Sequence, residues 1–307
     1  MATPISLVSW NLHGVPGAPL REERMQRVAT EIARRAPELV LLQEVWLPSD
    51  ADRLAAGLAP AYREVPWPDM GWLFRKSGLM ALLRQDSDWR LAATRFSEFR
   101  AEAPAWKLWQ GDGFGDKGVQ QLTLERDGLV LHVLHTHLQA AYGEATYREV
   151  RAAQLDQLAE LARAAAPSGA VVGAGDLNTQ LGSPLHASGI AAHWIDLTTE
   201  LRRSCGCGTA FRDAGRPWAW IDYVLAFREA ALPARAHTVE LLGNTGRDDP
   251  FSDHNGFHAW LVIGEPGEPA RATFGLLALL ALPARRWTRR GLFAALAGGA
   301  WASLGGS

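Results

Sequence analysis

Most of the apolar residues in this chain follow patterns that are typical of β-strands. Residues 5–11 alternate well enough for a strand, and Leu39-Val40-Leu41-Leu42 within residues 38–44 is typical of a buried strand. Apolar runs interrupted by glycine predict a series of strands from residue 62 to residue 138. Inside that series Asp127-Gly128 predicts a tight hairpin. Further strands are predicted at residues 170–175, 220–227 and 257–263.

Before residue 265, helices are predicted in three segments that are spread along the chain. Residues 20–35 carry charged and apolar residues at helical spacing and are followed by Pro37. Residues 50–58 predict a short helix, and residues 143–166, followed by Pro167, predict the longest one. Since the strands outnumber these dispersed helices, the pattern predicts two packed sheets with helices on their outer faces, an α/β sandwich.

Composition and charge change this picture only a little. The 307 residues are 48% hydrophobic and 21% charged, which is ordinary for a globular protein with a large buried core. The formal net charge is -2. Because phosphate neutralisation supplies most of the affinity for a nucleic acid backbone, this charge lowers the expectation of a dedicated nuclease. A local basic patch would still be compatible with it.

The C-terminal region differs in composition from the rest of the chain. Residues 265–269 predict a linker, so we expect a catalytic domain over 1–264 and a hydrophobic and basic tail over 265–307. Neither apolar run of the tail reaches the ~20 residues of a membrane-spanning helix. Two alternatives stay open for residues 270–307: a helical hairpin at a membrane surface, with arginines near anionic head groups, or two helices docked on the main domain.

Two further expectations concern the location and the cysteines. The N-terminus lacks a basic region followed by a long apolar run, which predicts a cytoplasmic protein, with membrane association through the tail as an alternative. Cys205 and Cys207 are only two residues apart, a spacing that rarely reaches disulfide geometry. We therefore expect a plain glycine-rich loop there and no disulfide.

Polar residues stand at or just beyond the ends of several predicted apolar strands. Strand ends can bring side chains together at one rim of a sheet while holding them rigidly. The residues in question are Asn11, Glu44, His137, Asp176, Asn178, Asp222, Asp253 and His254. Each alone is more often a cap or a surface residue, but the complete set in this order is far more specific.

These residue types suit metal-assisted attack of water on phosphorus. Glu44 offers the hard oxygen ligand that Mg²⁺ prefers, and the chain has no Cys/His cluster at zinc spacing. His254 could accept a proton from water near neutral pH, with Asp222 as a candidate to fix its tautomer. His137 could donate to a phosphate oxygen, and Asn178 offers an amide that could position water or substrate.

The motifs from Trp10-Asn11 to Ser252-Asp253-His254 resemble those of the endonuclease/exonuclease/phosphatase family, and the resemblance covers about residues 5–263. It implies a DNase I-like fold, a four-layer α/β sandwich of two packed mixed β-sheets flanked by helices. It also implies a metal-dependent phosphoric ester hydrolase. For the metal, Mg²⁺ is expected, with Mn²⁺ or another divalent ion as an alternative. The implied ligands are Glu44, with Asn11 beside it and Asp253 completing the environment.

The resemblance also implies catalytic roles for five residues. His254 corresponds to the general base and Asp222 to its partner. Asp176 and Asn178 correspond to the pair that orients the nucleophile and binds the phosphate, and His137 to the phosphate-binding histidine. The expected oligomeric state is a monomer.

Within the family, several segments resemble the neutral sphingomyelinases. They are Gln43-Glu44-Val45-Trp46, Lys117-Gly118-Val119, residues 136–142 and residues 147–154. Residues 243–250 depart from the secreted bacterial enzymes, because they are short and polar where those enzymes have an aromatic hairpin. Residues 104–114, with Trp106 and Trp109, could form another lipid-facing loop.

This set predicts a Mg²⁺-dependent phosphodiesterase acting on a phospholipid head group. The alternatives are a metal-dependent nuclease, a small-molecule phosphodiesterase or phosphatase of the same superfamily, and a catalytically silent binding module. Nucleic acid is the less favoured partner, because the chain is slightly acidic.

Overall fold

The computed structural model describes residues 2–66, 75–102, 116–142, 146–205, 207–210, 219–243 and 251–264. The predictions for the tail and for residues 104–114 lie outside these ranges, as does most of the segment 243–250. The division into 1–264 and 265–307 therefore stays a prediction. Among the described residues, no helix is both long and apolar enough to cross a bilayer.

Twelve strands of the described chain form two six-stranded sheets. One sheet contains β1 (Ala2–Asn11), β2 (Leu39–Gln43), β3 (Tyr62–Glu64), β4 (Met80–Arg84), β11 (Ala234–Leu242) and β12 (Gly256–Gly264). Its strand order is β11-β12-β1-β2-β4-β3. The other contains β5 (Arg90–Glu98), β6 (Gly118–Arg126), β7 (Leu129–His137), β8 (Ala170–Asp176), β9 (Trp194–Asp196) and β10 (Asp222–Phe227). Its order is β5-β6-β7-β8-β10-β9.

Both sheets are mixed. The β1–β2 pair and the β7–β8 pair are parallel, and the other neighbours are antiparallel. Parallel neighbours end at the same edge of a sheet. The carboxyl ends of β1 and β2 therefore lie side by side, and so do those of β7 and β8.

Helices cover the outer faces of the two sheets. They are α1 (Arg21–Arg35), α2 (Pro48–Leu58) and α3 (Arg148–Ala165), with a short α4 (Thr199–Cys205) before β10. In β1, Leu7 belongs to the core shared with the second sheet, whereas its neighbour Val8 packs with Val28 and Ile32 of α1. Leu158 of α3 belongs to the same large core as the second sheet. The predicted four-layer α/β sandwich is therefore confirmed.

The elements differ from the predictions in a few places. The Asp127-Gly128 hairpin is confirmed, since Arg126 pairs with Leu129. The longest helix begins at Arg148 rather than near residue 143. The strands β9 and β11 were not predicted. Strand β11 is partly exposed and carries Arg235, His237 and Glu240, so its sequence lacks a strong apolar pattern.

The expectation for the two cysteines is wrong. Cys205 and Cys207 form a disulfide, and their Cα atoms are 5.2 Å apart, within the usual range for such a bond. The physical reason is local: Cys205 is the last residue of α4 rather than part of an extended segment, and the backbone N–H of Cys207 also donates to its Sγ at 3.3 Å.

Candidate active site

The predicted polar residues converge where the two sheets meet at one end of the sandwich. Asn11 ends β1 and Glu44 follows β2 directly, while His137 ends β7 and Asp176 ends β8. Asp222 begins β10, which runs antiparallel to β8 and places Asp222 opposite Asp176. The parallel pairs and this register account for the convergence.

The amide of Asn11 joins the two sheets at the site. Its Nδ2 donates to Oε1 of Glu44 at 3.1 Å and to Oδ2 of Asp176 at 3.0 Å. Its Oδ1 accepts from the backbone N–H of His13 at 3.0 Å. Since Asn11 is fully buried, all three contacts hold one side-chain orientation. Asn11 thus positions two carboxylates that come from different sheets.

His254 reaches the site from the loop that precedes β12. Its Nδ1 lies 2.8 Å from Oδ2 of Asp222, and its Nε2 lies 3.8 Å from Oδ2 of Asp176. The backbone of His254 is held on both sides: its N–H donates to Oγ of Ser252 at 3.1 Å, and its carbonyl accepts from Nε1 of Trp10 at 3.0 Å. The imidazole is therefore fixed in place, with Nε2 directed toward the buried carboxylates.

His137 and Asn178 form the opposite side of the site. Nε2 of His137 lies 3.5 Å from Oδ2 of Asp176 and 3.2 Å from Nδ2 of Asn178. Asn178 also donates from Nδ2 to the Leu138 carbonyl at 3.1 Å, and its backbone N–H donates to Oδ1 of Asp176 at 2.8 Å. Burial, with Lys117 and His254 nearby, holds the pKa of His137 well below its ordinary value, so its imidazole is neutral.

Negative charge accumulates in the site without enough positive charge to balance it. Burial and the nearby Asp253 raise the pKa of Glu44. Burial and Asp222 likewise raise the pKa of Asp176 above its ordinary value. For His254, burial alone would lower the pKa, but Asp222 and Asp176 together raise it well above its ordinary value. A site with these shifts favours the binding of a cation or of protons.

The side chains present fit a divalent metal ion. Oε2 of Glu44 is buried and has no hydrogen-bond partner among the described residues, which leaves one carboxylate oxygen available as a ligand. Asp176, Asp222 and His254 each offer a ligand atom, and these atoms all lie within 4.8 Å of one another. Carboxylate oxygens are the donors that Mg²⁺ prefers. The geometry therefore offers two neighbouring places for a cation, one at Glu44 and one at the Asp176 cluster.

Asp253 lies at the rim of the site rather than in its buried centre. Its side chain is 42% exposed, and Oδ2 lies 3.7 Å from Nδ1 of His13. The structure thus brings all eight predicted residues together, but it separates Asp253 and His13 at the entrance from the buried set. His13 was not predicted from the sequence, although its place two residues after Asn11 was an available indication.

Three residues of the site adopt backbone conformations that are unusual for side chains other than glycine. The φ angles are 49° for His13, 59° for Glu44 and 46° for Asn178. Such conformations cost free energy and persist where the surroundings fix them, as they often do in active sites. Sequence periodicity does not indicate backbone conformations of this kind, so they could not be predicted.

Arg24 of α1 is a buried residue that supports the site and that the sequence analysis missed. Its guanidinium donates to the carbonyl of Leu12 at 2.7 Å, of His13 at 2.9 Å and of Pro19 at 3.0 Å. Burial lowers the pKa of Arg24, and the nearby Asp253 and Glu44 oppose that shift. This single cation therefore holds the chain that follows β1.

The chain is similar in sequence to known proteins. The model of the family described as "Endonuclease/Exonuclease/phosphatase family" matches residues 8–254. An inositol phosphosphingolipids phospholipase C from Schizosaccharomyces pombe is 28% identical over 182 residues, which are 57% of this chain and 41% of that protein. The match thus spans well under half of that relative. A sphingomyelin phosphodiesterase 2 from Rattus norvegicus is 28% identical over 79% of this chain and 61% of that protein.

Solved structures show the same fold at low sequence identity. TDP2 from D. rerio, crystallised with a single-strand DNA product, superposes with a TM-score of 0.67 at 20% identity, over 84% of this chain and 99% of that one. Sphingomyelinase C from Streptomyces griseocarneus gives a TM-score of 0.59 at 18% identity, over 86% of this chain and 100% of that one. These likenesses establish the architecture and leave the substrate open.

Proposed function

Because this chain belongs to the endonuclease/exonuclease/phosphatase family, we propose that it is a Mg²⁺-dependent phosphodiesterase that hydrolyses a phospholipid head group. Members of the family are metal-dependent phosphoric ester hydrolases. The observation that carries the proposal is the His254–Asp222 pair at 2.8 Å, set beside buried carboxylates that can hold a cation. A base oriented by a carboxylate next to a metal site suits the activation of water.

The proposed reaction begins with proton transfer at one atom of His254. Because Nδ1 is engaged by Asp222, Nε2 is the nitrogen that can accept a proton from the attacking water. The oxygen of that water forms a bond to phosphorus, and the bond from phosphorus to the lipid alcohol oxygen breaks. The lipid alkoxide then takes up a proton from solvent. The products are a phosphorylated head group and a lipid alcohol.

The other buried residues orient the reactants in this proposal. Glu44 would hold the Mg²⁺ ion, with Asn11 fixing its carboxylate and Asp253 adding charge at the rim. When bound, the ion would neutralise phosphate charge and stabilise the charge that develops in the transition state. Asp176 and Asn178 would orient the water and the phosphate. The neutral His137 carries one N–H, which is on Nδ1 because Nδ2 of Asn178 donates to Nε2, and this N–H would donate to a phosphate oxygen.

The choice of a lipid substrate rests on the relatives and on charge. The S. pombe and R. norvegicus relatives are named for phosphosphingolipid and sphingomyelin hydrolysis. The formal net charge of -2 gives little general attraction for a nucleic acid backbone.

We also propose that the protein is a monomer, and that residues 270–307 contact a membrane. Deletion of these residues should weaken vesicle binding more than it slows hydrolysis of a soluble diester.

The experiment that tests the proposed function compares two substrates under one set of conditions. Sphingomyelin in mixed micelles and supercoiled plasmid DNA are each incubated with the protein, with Mg²⁺ or with EDTA. Release of phosphocholine that requires Mg²⁺, with intact plasmid, supports the proposal. Nicked plasmid with untouched lipid would overturn the lipid assignment and favour a nuclease. The variant His254→Ala should be inactive on either substrate while keeping a folded state that unfolds cooperatively.

A further inference from the structure

The loop between the candidate site and α1, residues 14–20, carries no charged side chain. Leu20 is 63% exposed and is, with Ile195, one of two exposed large hydrophobic residues in the part of the chain that the structure describes. Pro16 and Pro19 are also exposed, and Val15 is half-buried. Single apolar residues scattered over a surface are normal, whereas several exposed apolar residues in one loop indicate a binding surface.

This loop has a defined shape. Arg24 binds its two ends through the carbonyls of His13 and Pro19, and a turn closes its middle, with the N–H of Ala18 donating to the Val15 carbonyl at 3.0 Å. Leu20 itself adopts φ 50°, in the left-handed region that leucine rarely occupies. Because the surroundings hold this strained backbone conformation, the loop keeps its apolar side chains exposed.

The loop is also seated directly against the candidate site. Gly14 packs so closely on the backbone of Glu44 that a Cβ added at Gly14 would lie 2.1 Å from the Glu44 carbonyl oxygen. His13, immediately before the loop, faces Asp253 at the entrance. A surface that bound residues 15–20 would therefore lie beside the entrance to the buried carboxylates.

We propose that residues 15–20 enter the surface of a phospholipid bilayer and bring its head groups to the site. This inference rests on the proposed function and deepens it. Proline lacks a backbone N–H, so Pro16 and Pro19 reduce the number of polar groups that lose water on entry. An uncharged tip with one large apolar side chain suits a neutral lipid surface better than a charged partner.

The test uses the full chain and vesicles of sphingomyelin and phosphatidylcholine. Binding is measured by co-sedimentation in EDTA, so that the lipid is not consumed. The variant Leu20→Asn removes the apolar side chain, and asparagine tolerates the left-handed conformation, so the fold should be kept. Since burial of one leucine side chain corresponds to about tenfold in partitioning or more, we expect at least about tenfold weaker vesicle binding. Leu20→Phe should bind at least as tightly as the wild type.

The matched control is Ile195→Thr, which removes the other exposed large hydrophobic residue and keeps a β-branched side chain in β9. It should bind vesicles like the wild type. In Mg²⁺, Leu20→Asn should slow the hydrolysis of vesicle sphingomyelin about as much as it weakens binding. It should leave the hydrolysis of a soluble diester, bis(p-nitrophenyl) phosphate, unchanged.

The outcomes separate this inference from the proposed function. The protein could bind vesicles through Leu20 and yet fail to cleave sphingomyelin. That result would support bilayer entry by residues 15–20 and overturn the proposed lipid hydrolysis. Equal vesicle binding by wild type and Leu20→Asn, in a protein that cleaves micellar sphingomyelin, would reject the loop alone. A change in sedimentation coefficient on Leu20→Asn without vesicles would assign the tip to a protein contact and overturn the lipid surface.

Discussion

Nδ1 of His254 lies 2.8 Å from Oδ2 of Asp222, and both side chains are buried. This contact leaves Nε2 as the nitrogen that can accept a proton. Burial alone would lower the pKa of His254, but Asp222 and Asp176 raise it well above 6.5. Only the neutral imidazole can act as a base, so the fraction of competent enzyme rises with pH until it passes that raised pKa.

Replacement of Asp222 by Asn should change both the rate and its pH dependence. The loss of the carboxylate charge lowers the pKa of His254, so the midpoint of the acid limb of kcat/KM should move to lower pH. The loss of the orienting carboxylate should reduce kcat by about 10²- to 10⁴-fold. The measurement is a pH–rate profile on a soluble diester at a fixed free Mg²⁺ concentration. An unchanged midpoint would show that another group sets the acid limb.

Replacement of Glu44 by Gln should separate stability from activity. Folding raises the pKa of Glu44, so the folded state disfavours the ionised carboxylate. The free energy of unfolding therefore falls as the pH rises above the pKa that Glu44 has in the unfolded protein. A neutral Gln removes that cost. Without metal and near neutral pH, Glu44→Gln should therefore unfold at a temperature a few degrees higher than the wild type. Such a shift corresponds to about 1 kcal/mol in the free energy of unfolding. It should also need far more Mg²⁺ for activity.

Thermal unfolding with and without Mg²⁺ checks the Glu44 prediction. The wild type should gain stability on adding Mg²⁺, since a ligand that binds the folded state stabilises it. Glu44→Gln should gain much less. An equal Mg²⁺ shift in both proteins would place the ion elsewhere, with the cluster of Asp176, Asp222 and His254 as the remaining candidate.

Replacement of Asn11 by Asp should destabilise the protein without metal. The Asn11 amide donates to Glu44 and Asp176, and a carboxylate at this place would bring a third buried negative charge to within hydrogen-bond distance of both. Loss of the two donated bonds and the added repulsion should cost about 3 kcal/mol. Urea unfolding in EDTA measures this cost, and Mg²⁺ should restore part of it. A variant with wild-type stability in EDTA would mean that the bridging contacts contribute little.

The convergence of the eight residues could be predicted because each stands at or beside an end of an apolar strand or in a short motif. The parallel β1–β2 and β7–β8 pairs then bring those ends together. The role of Asn11 could not be predicted in the same way. The family resemblance places Asn11 beside the metal, and the structure adds that its Nδ2 donates to two carboxylates. Such a contact between sheets depends on how the sheets pack, which periodicity does not encode.

Arg24 and His13 escaped sequence analysis for a different reason. Arg24 lies on a helix with other arginines, where a charged side chain is usually solvated, and only the path of residues 12–19 brings three carbonyls to it. The left-handed conformations of His13 and Leu20 likewise follow from the closed loop rather than from local preference. Tertiary contacts therefore determine the entrance of the site, while strand patterns determine its buried centre.

Gly175 should be the glycine whose replacement by Ala is most damaging to both stability and activity. Its φ is 141°, and a Cβ there would lie 1.8 Å from the carbonyl oxygen of Thr136 in the neighbouring strand β7. Because backbone cannot move aside easily, Gly175→Ala should cost about 3 kcal/mol or more and should displace Asp176, which is next in sequence.

Gly128→Ala is the matched control: its φ is 79°, with nothing within 4 Å of the added Cβ. It should cost only about 1 kcal/mol and leave activity intact. Urea unfolding and hydrolysis of a soluble diester measure the two effects, and equal losses in the two variants would attribute the effect to backbone strain rather than to the close approach of β7 and β8.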